Sequence, residues 1–367
     1  MFARKEKPLP VAVLKPEPTK NTQFLEDAGI HLGEGYYWNP EDLPNGHIVA
    51  IGASGSGKTQ TLKAIAYSLH TTYPEMQIIL LDFHGDQEII NETCYPIHMA
   101  SPHGINPLVV NLDPEGGGSN LQAIQIASIL KKSLRLGPNQ EGMLIEIIKT
   151  CYLNRGIVQE RQETWSLEPP NFNDIQTEIL KRIEEDCKES QKLSLKLAAT
   201  FEYGIFSRSQ PEFNEKLVRI DLSKLPTELR AIAAESLAWQ LMNQHRLMGE
   251  IEGKLPRTFL FIDEAKEMPK KEGSACDRII ADGRKYGLSL VMASQSERHL
   301  SADVIGNSST KIVLPVDQTE VKKVSQKFRF SEKKVEALTP LNALCRFGKD
   351  AELLEIQPYY QRLEDAE

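Results

Sequence analysis

Residues 52 to 59 read Gly-Ala-Ser-Gly-Ser-Gly-Lys-Thr. They fit G-x-x-x-x-G-K-[ST], a spacing whose chemistry is phosphate binding. Glycines let consecutive backbone N–H groups turn inward onto phosphate oxygens, and a following helix adds the positive end of its dipole. On this reading Gly52, Ser54, Gly55, Ser56, Gly57, Lys58, Thr59 and Gln60 bind a nucleotide. Lys58 reaches its β- and γ-phosphates, and the Thr59 hydroxyl ligates Mg2+. The flanks agree. His47–Ile51 is a short apolar run that predicts a buried strand, and Leu62, Ile65, Ala66 and Leu69 have helical spacing. A chance match in a glycine-rich loop is the alternative, and strand, loop and helix in that order weigh against it.

A second stretch supplies acids. Thr258-Phe259-Leu260-Phe261-Ile262 is an apolar strand run ending in Asp263-Glu264. Asp263 is placed to hold Mg2+, directly or through water, and Glu264 to polarise an attacking water as general base. Nucleotide switches often lack the second carboxylate, so the pair points to ATP hydrolysis; an acidic surface turn is the alternative. Two further strands end in polar residues, where ligands of open α/β sheets gather. Asp82-Phe83-His84-Gly85-Asp86 offers His84 and Asp86 to a phosphate or Mg2+ shell, or is only a strand-to-loop turn. Gln295, after Leu288–Ser294, is a γ-phosphate sensor or an ordinary strand terminus, the first being favoured.

The elements that must position these groups alternate between strand and helix, which predicts an α/β fold with a mainly parallel central sheet. Residues 1–30 are rich in Pro and Lys and read as an extended arm. Residues 31–358 read as one ATPase domain. A hairpin through Ile30–Gly33 and Tyr36–Pro40 leads to the P-loop strand. Its aromatics Tyr36, Tyr37 and Trp38 stack on adenine or pack at a sheet edge, the second being favoured. Gln77–Asp82 is a strand and Ile97–Met99 a weak one. Residues about 113–216 form a helical insertion, with helices at Leu121–Leu134, Glu141–Leu153, Phe172–Ser190 and Lys192–Phe201. Leu217–Leu222 returns to strand, and Thr227–Arg246 is a long helix started after Leu225-Pro226. Asp277–Gly287 is a helix ending at glycine, Thr310–Pro315 a strand, Ala343–Phe347 and Leu353–Ile356 a closing hairpin, and residues 359–367 a tail.

Composition bounds the function. The chain has 367 residues, 40% hydrophobic and 26% charged, as in a soluble globular protein. No apolar run approaches the roughly 18 residues that span a bilayer, and no secretory signal opens the chain. Cys94, Cys151, Cys187, Cys276 and Cys345 are scattered, which suits buried thiols in a reducing cytoplasm better than a disulfide framework or zinc site. A net charge of −8 does not advertise a nucleic-acid binder, yet leaves room for local basic loops.

These segments in this order resemble the HerA/FtsK superfamily of P-loop motors. The matches are Gly52–Thr59, Asp82–Asp86, Ile105-Asn106-Pro107-Leu108, Ile262–Ala265, Gly283-Arg284-Lys285-Tyr286-Gly287, Ala293-Ser294-Gln295 and Asn307–Ile312, spanning about residues 30 to 358. The resemblance implies a RecA-like P-loop NTPase of the ASCE type that works as a ring, usually a hexamer. It also implies a site completed by a neighbour's arginine. Arg284 matches that position; a helix-end cation is its alternative role, with Arg278 and Arg298 as substitutes. Tyr37-Trp38-Asn39-Pro40 resembles the motor domain of a phosphorothioation-dependent restriction protein. The family implies an ATP- and Mg2+-dependent motor on double-stranded DNA, working beside a nuclease in DNA processing or anti-phage restriction; the composition gives no support for membrane contact. Two other readings stay open: a type IV secretion or conjugation-like ATPase that moves protein or assembles a complex, and an ATP-dependent switch that recruits a nuclease. Lys270-Lys271 is a candidate pore loop, or simply solvated.

Overall fold

The computed structural model describes residues 29–33, 35–269 and 273–364. The described residues open on an antiparallel hairpin, β1 (Ile30–Gly33) with β2 (Tyr36–Trp38). Strand β3 (Ile48–Ile51) runs into α1 (Lys58–Thr72), followed by β4 (Gln77–Asp82) and β5 (Thr93–Pro96). Four helices come next: α2 (Ser119–Leu134), α3 (Pro138–Asn154), α4 (Phe172–Glu184) and α5 (Lys188–Tyr203). Then β6 (Leu217–Asp221), α6 (Thr227–Leu247), β7 (Thr258–Ile262), α7 (Ala275–Asp282) and β8 (Leu288–Ser294) alternate. The chain ends through α8 (Ala302–Asn307), β9 (Thr310–Val313), α9 (Val321–Phe328), α10 (Glu332–Glu336), β10 (Asn342–Phe347), β11 (Asp350–Glu355) and α11 (Tyr359–Glu364).

One sheet of 9 strands in the order β11-β10-β9-β3-β8-β7-β4-β6-β5 organises the molecule. From β9 to β5 neighbouring strands are parallel; β10 and β11 add an antiparallel edge. The central strands are buried on both faces, which is why they read as continuous apolar runs without alternation. Their side chains nonetheless divide by the period of two. Val49, Ile51, Ile79, Leu81, Leu260 and Ile262 face the core shared with α2 to α7. Ile48, Ala50, Ile78, Leu80, Phe259 and Phe261 face the core under α1 and the β1–β2 hairpin. Because the central strands point the same way, their C-terminal ends form one edge. The P-loop, Asp82, Asp263 and Gln295 all leave the sheet there.

Several expected boundaries move. The weak strand at Ile97–Met99 is instead β5 at Thr93–Pro96; Ile97 closes the pairing by donating to the Asp221 carbonyl at 2.9 Å. The helix expected over Phe172–Ser190 breaks into α4 and α5, where Asp186 sits at φ 67. The run Glu184-Glu185-Asp186 puts negative charge at a helix C-terminus, where the dipole disfavours it. The segment 359–364 is not a loose tail but α11. Tyr359 accepts a hydrogen bond from the Ile90 amide at 2.7 Å, and Arg362 donates to Ser68 on α1 at 2.7 Å. Trp38 is buried and donates to Thr310 Oγ1 at 2.8 Å, and Tyr36 stacks on Phe347 at 4.5 Å, so these two aromatics pack at the sheet rather than offer a base platform. Among the described residues no helix is long and apolar enough to cross a membrane, and all five cysteines are free.

Glu235 is an exception to the apolar logic of α6. It is buried, with Oε1 accepting from the Ala275 amide at 2.9 Å and Trp239 Nε1 at 3.1 Å, while Oε2 is buried without a partner. Burial pushes its carboxyl up to about 7. Glutamate in an unfolded chain titrates near about 4.3. The folded state therefore holds the proton more tightly between these values. This contribution to stability is full below the lower value and is lost as pH rises through the upper one. We expect Glu235→Gln to gain about 1–3 kcal/mol at pH 8 in urea unfolding, and to flatten the pH profile below neutrality. A variant no more stable than its parent at pH 8 would refute this account.

Candidate nucleotide site

The loop between β3 and α1 is anchored at three points. The Gly52 amide donates to the Ser294 carbonyl at 3.1 Å, Ala53 to Pro315 at 2.8 Å, and the Leu341 amide to the Ser56 carbonyl at 3.0 Å. Two glycines are required by space. A Cβ on Gly52 would overlap Ser56 Oγ, and one on Gly57, which caps α1 at φ 96, would lie 2.5 Å from Leu341 Cδ2. The amides of Ser54, Gly55, Gly57, Lys58 and Thr59 meet no acceptor among the described residues. Ser56 Oγ and Gln60 Oε1 are likewise buried and unpartnered. A row of unsatisfied donors at a helix N-terminus fits a polyphosphate.

The acids lie across from this loop. Lys58 Nζ is 3.5 Å from Asp263 Oδ1, and both side chains are nearly buried. Asp263 Oδ2 accepts from Gln87 Nε2 at 2.7 Å. Burial pushes the Asp263 carboxyl up; Lys58 opposes the shift, while Asp86 and Glu264 add to it. Glu264 is only 1% exposed. Its Oε2 accepts from Gln295 Nε2 at 3.0 Å and lies 3.7 Å from Lys266 Nζ, while Oε1 is buried with no partner. Glu264 thus has one oxygen held and one free to accept a proton from a bound water.

The donor set suits Mg2+. Among the described residues no group of three or more His, Cys, Asp or Glu could hold a metal. Mg2+ typically takes one or two protein oxygens and completes its shell with water and substrate phosphates. Thr59 and Asp263 are the residues that would hold it. When bound, it supplies neutralisation of phosphate charge. The protein's share would be to orient Asp263 through Gln87 and Glu264 through Gln295.

Of the residues singled out in the sequence, the loop Gly52–Gln60, Asp263, Glu264 and Gln295 meet at one sheet edge. Arg284 does not join them. It is exposed at the start of β8, while Gln295 follows its end. The 7 residues of that strand put about 23 Å between the two ends. Arg284 instead lies near His47, whose imidazole is pushed down to about 4 by burial and by that positive charge. Arg278 pairs with Asp282 at 2.9 Å, and Arg298 Nε donates to Ser296 at 3.2 Å. His84 is exposed, and Asp86 Oδ1 accepts from Gln87 Nε2 at 3.2 Å. Lys270 and Lys271 fall outside the described residues.

Sequence reasoning missed Gln87 and Leu341. Gln87 directly follows the His-Gly-Asp turn and is folded back by Asp82, whose Oδ1 and Oδ2 accept from the amides of His84, Gly85 and Gln87 at 3.1, 2.7 and 3.2 Å. Its place just after the Asp82–Asp86 turn that ends β4 was the available signal. Leu341 had none, being remote in sequence and held at φ 67.

A parallel α/β sheet with a phosphate loop and paired acids at its C-terminal edge defines a P-loop NTPase. Solved structures share this fold: VirB4 of Thermoanaerobacter pseudethanolicus, with a TM-score of 0.74 at 17% identity, covering 90% of this chain and 97% of that one; and the plasmid coupling protein TrwB in complex with ADP and Mg2+, with a TM-score of 0.62 at 14% identity, covering 90% of each. The chain belongs to the family described as helicase HerA, central domain, which matches residues 36–237. It is 24% identical over 328 residues to the DNA double-strand break repair helicase HerA of Sulfurisphaera tokodaii, covering 81% of this chain and 60% of the relative's length.

Two substitutions test the site. Glu264→Gln keeps a partner for Gln295 and removes the base; ATP turnover should fall at least about 100-fold with nucleotide binding retained. Gln87→Leu removes the donor to Asp263 at similar volume. It should raise the Mg2+ concentration for half-maximal turnover by about 10-fold or more. An unchanged magnesium titration would remove Gln87 from the site.

Proposed function

We propose that this chain is an ATP-hydrolysing ring motor that translocates or remodels double-stranded DNA beside a nuclease, in DNA processing or anti-phage restriction. The observation that carries the reading is Glu264, held by Gln295 at 3.0 Å next to the Asp263–Lys58 pair. A second acid oriented in this way is built for turnover rather than for slow switching. Membership of the HerA family supports DNA as the partner.

In this reading the loop amides and Lys58 bind the β- and γ-phosphates of ATP. Glu264 Oε1 takes a proton from the attacking water. Arg284, at the sheet edge away from its own P-loop, acts on a neighbour's γ-phosphate, as a head-to-tail ring allows. The narrower likeness to the motor of the phosphorothioation-dependent restriction protein DptH rests on overall similarity, not on a diagnostic site, and finds no support among the relatives.

A second reading, a conjugation-like motor acting on protein, is favoured by one feature. The inserted helices expose Leu121, Ile124, Leu153, Leu180 and Leu195, the last at 80%. Apolar residues left in water suit a protein partner, the nuclease of the first reading included.

ATP turnover should rise with duplex DNA, and the stimulation should fade between low and moderate salt as phosphate contacts are screened. Turnover that needs Glu264 yet ignores DNA would favour the second reading. Arg284→Ala and Glu264→Gln should each be inactive alone. Mixed as subunits, they should regain activity, since roughly a quarter of head-to-tail interfaces then carry both groups. No recovery on mixing would remove Arg284 as a residue acting in trans.

A further inference from the structure

At the sheet edge opposite the P-loop lies a pocket of about 650 Å3 whose charged lining is all of one sign. Lys311, Lys327, Arg329, Arg346 and Lys349 line it, and no carboxylate does among the described residues. In a chain of net charge −8 such a cluster is not the average surface. The topology assembles it from three places. Lys311 is near the start of β9, paired with Arg346 on antiparallel β10. Lys349 sits in the turn after β10, and Arg329 caps the end of α9 at φ 60.

Neutralisation within the protein is sparse. Lys327 pairs with Glu297. Lys311 Nζ donates to the Ser308 carbonyl at 2.6 Å, and Arg346 donates to the Arg329 carbonyl at 2.5 Å, both uncharged acceptors. Arg346 also lies over the Phe330 ring at 4.9 Å, and its Nε is buried with no partner. Burial lowers the Lys311 ammonium, and Arg346 and Arg329 push it further down. The cations therefore raise one another's energy, and an anion in the pocket would relieve all of them. The wall is pre-formed. Asn45 donates to the Asn307 carbonyl at 2.8 Å and accepts from the Ser309 amide at 3.1 Å, and Gly348 donates to the Ser309 carbonyl at 2.8 Å.

We propose that this pocket is a second phosphate site, built to take a phosphate-ester anion distinct from the nucleotide on the chain's own P-loop. Its place rules out that nucleotide. Lys311 and Arg346 are at the edge where β9 begins, and the P-loop is at the edge where the parallel β3 ends. Two sources share the chemistry: the backbone of DNA, and the nucleotide carried by a neighbouring copy. The DNA source rests on the motor reading above; the pocket itself does not.

The test uses Arg329→Asn with Lys349→Glu, both on exposed side chains that make no hydrogen bond of their own in the core. Asparagine also tolerates the left-handed backbone at position 329. Three quantities are compared with the parent: affinity for a 30-base-pair duplex across salt, DNA-free ATP turnover, and tripolyphosphate binding with the P-loop saturated by ADP. We expect tripolyphosphate binding to weaken at least about 10-fold. If the source is DNA, duplex affinity also falls, its salt slope drops by about 1–2, and DNA-free turnover is unchanged. If the source is a neighbour's nucleotide, DNA-free turnover falls and the duplex isotherm does not move. A parent that binds tripolyphosphate but no duplex would refute the DNA reading and leave the pocket standing. A parent that binds neither, or a variant matching the parent in all three measurements, would overturn the proposal.

Discussion

The structure turns on placing two adjacent carboxylates inside a protein. Asp263 and Glu264 follow a fully buried strand and are themselves nearly buried. Burying a charge is tolerated only where partners replace the water it loses. The partners here come from three strand ends: Lys58 after β3, Gln87 after β4 and Gln295 after β8. The sheet order brings these to one place, because β8 and β4 flank β7 and β3 lies on the far side of β8. The strand order is thus what makes the acids affordable.

The same logic recurs one strand away. Asp82 is fully buried and accepts from Arg219 at 3.1 Å, while Arg219 also donates to Glu92 at 2.6 Å. Asp82 spends its remaining capacity on the amides of the turn that carries Gln87. A structural ion network therefore sets the position of a residue that touches Asp263. It explains why an acid can end β4 without itself entering the nucleotide site.

The phosphate loop and acid pair were legible because local spacing dictates them: a glycine pattern and an apolar run with two acids work within a few residues of chain. The parallel sheet was legible for the same reason, from apolar runs separated by helical periods. What escaped was set by distant contacts. The split of α4 from α5 follows one left-handed residue, Asp186, inside an otherwise periodic stretch. The helix at 359–364 exists because Tyr359 and Arg362 find partners on distant elements. Leu341 buttresses Gly57 from far along the chain. The Arg284 position was readable as a motif, but only topology shows which edge it occupies.

That edge matters for assembly. One side of the sheet presents unsatisfied amides and buried acids; the other presents Arg284 and the cationic pocket around Lys311 and Arg346. Unlike edges of this kind suit a head-to-tail contact, and head-to-tail contacts close into rings or run on as filaments. Under the proposed reading, ring closure would set each nucleotide against the neighbour's cations. Hydrolysis at one P-loop would then change the charge felt by the adjacent subunit. The coupling between subunits would be electrostatic at its origin, short in range, and directional around the ring.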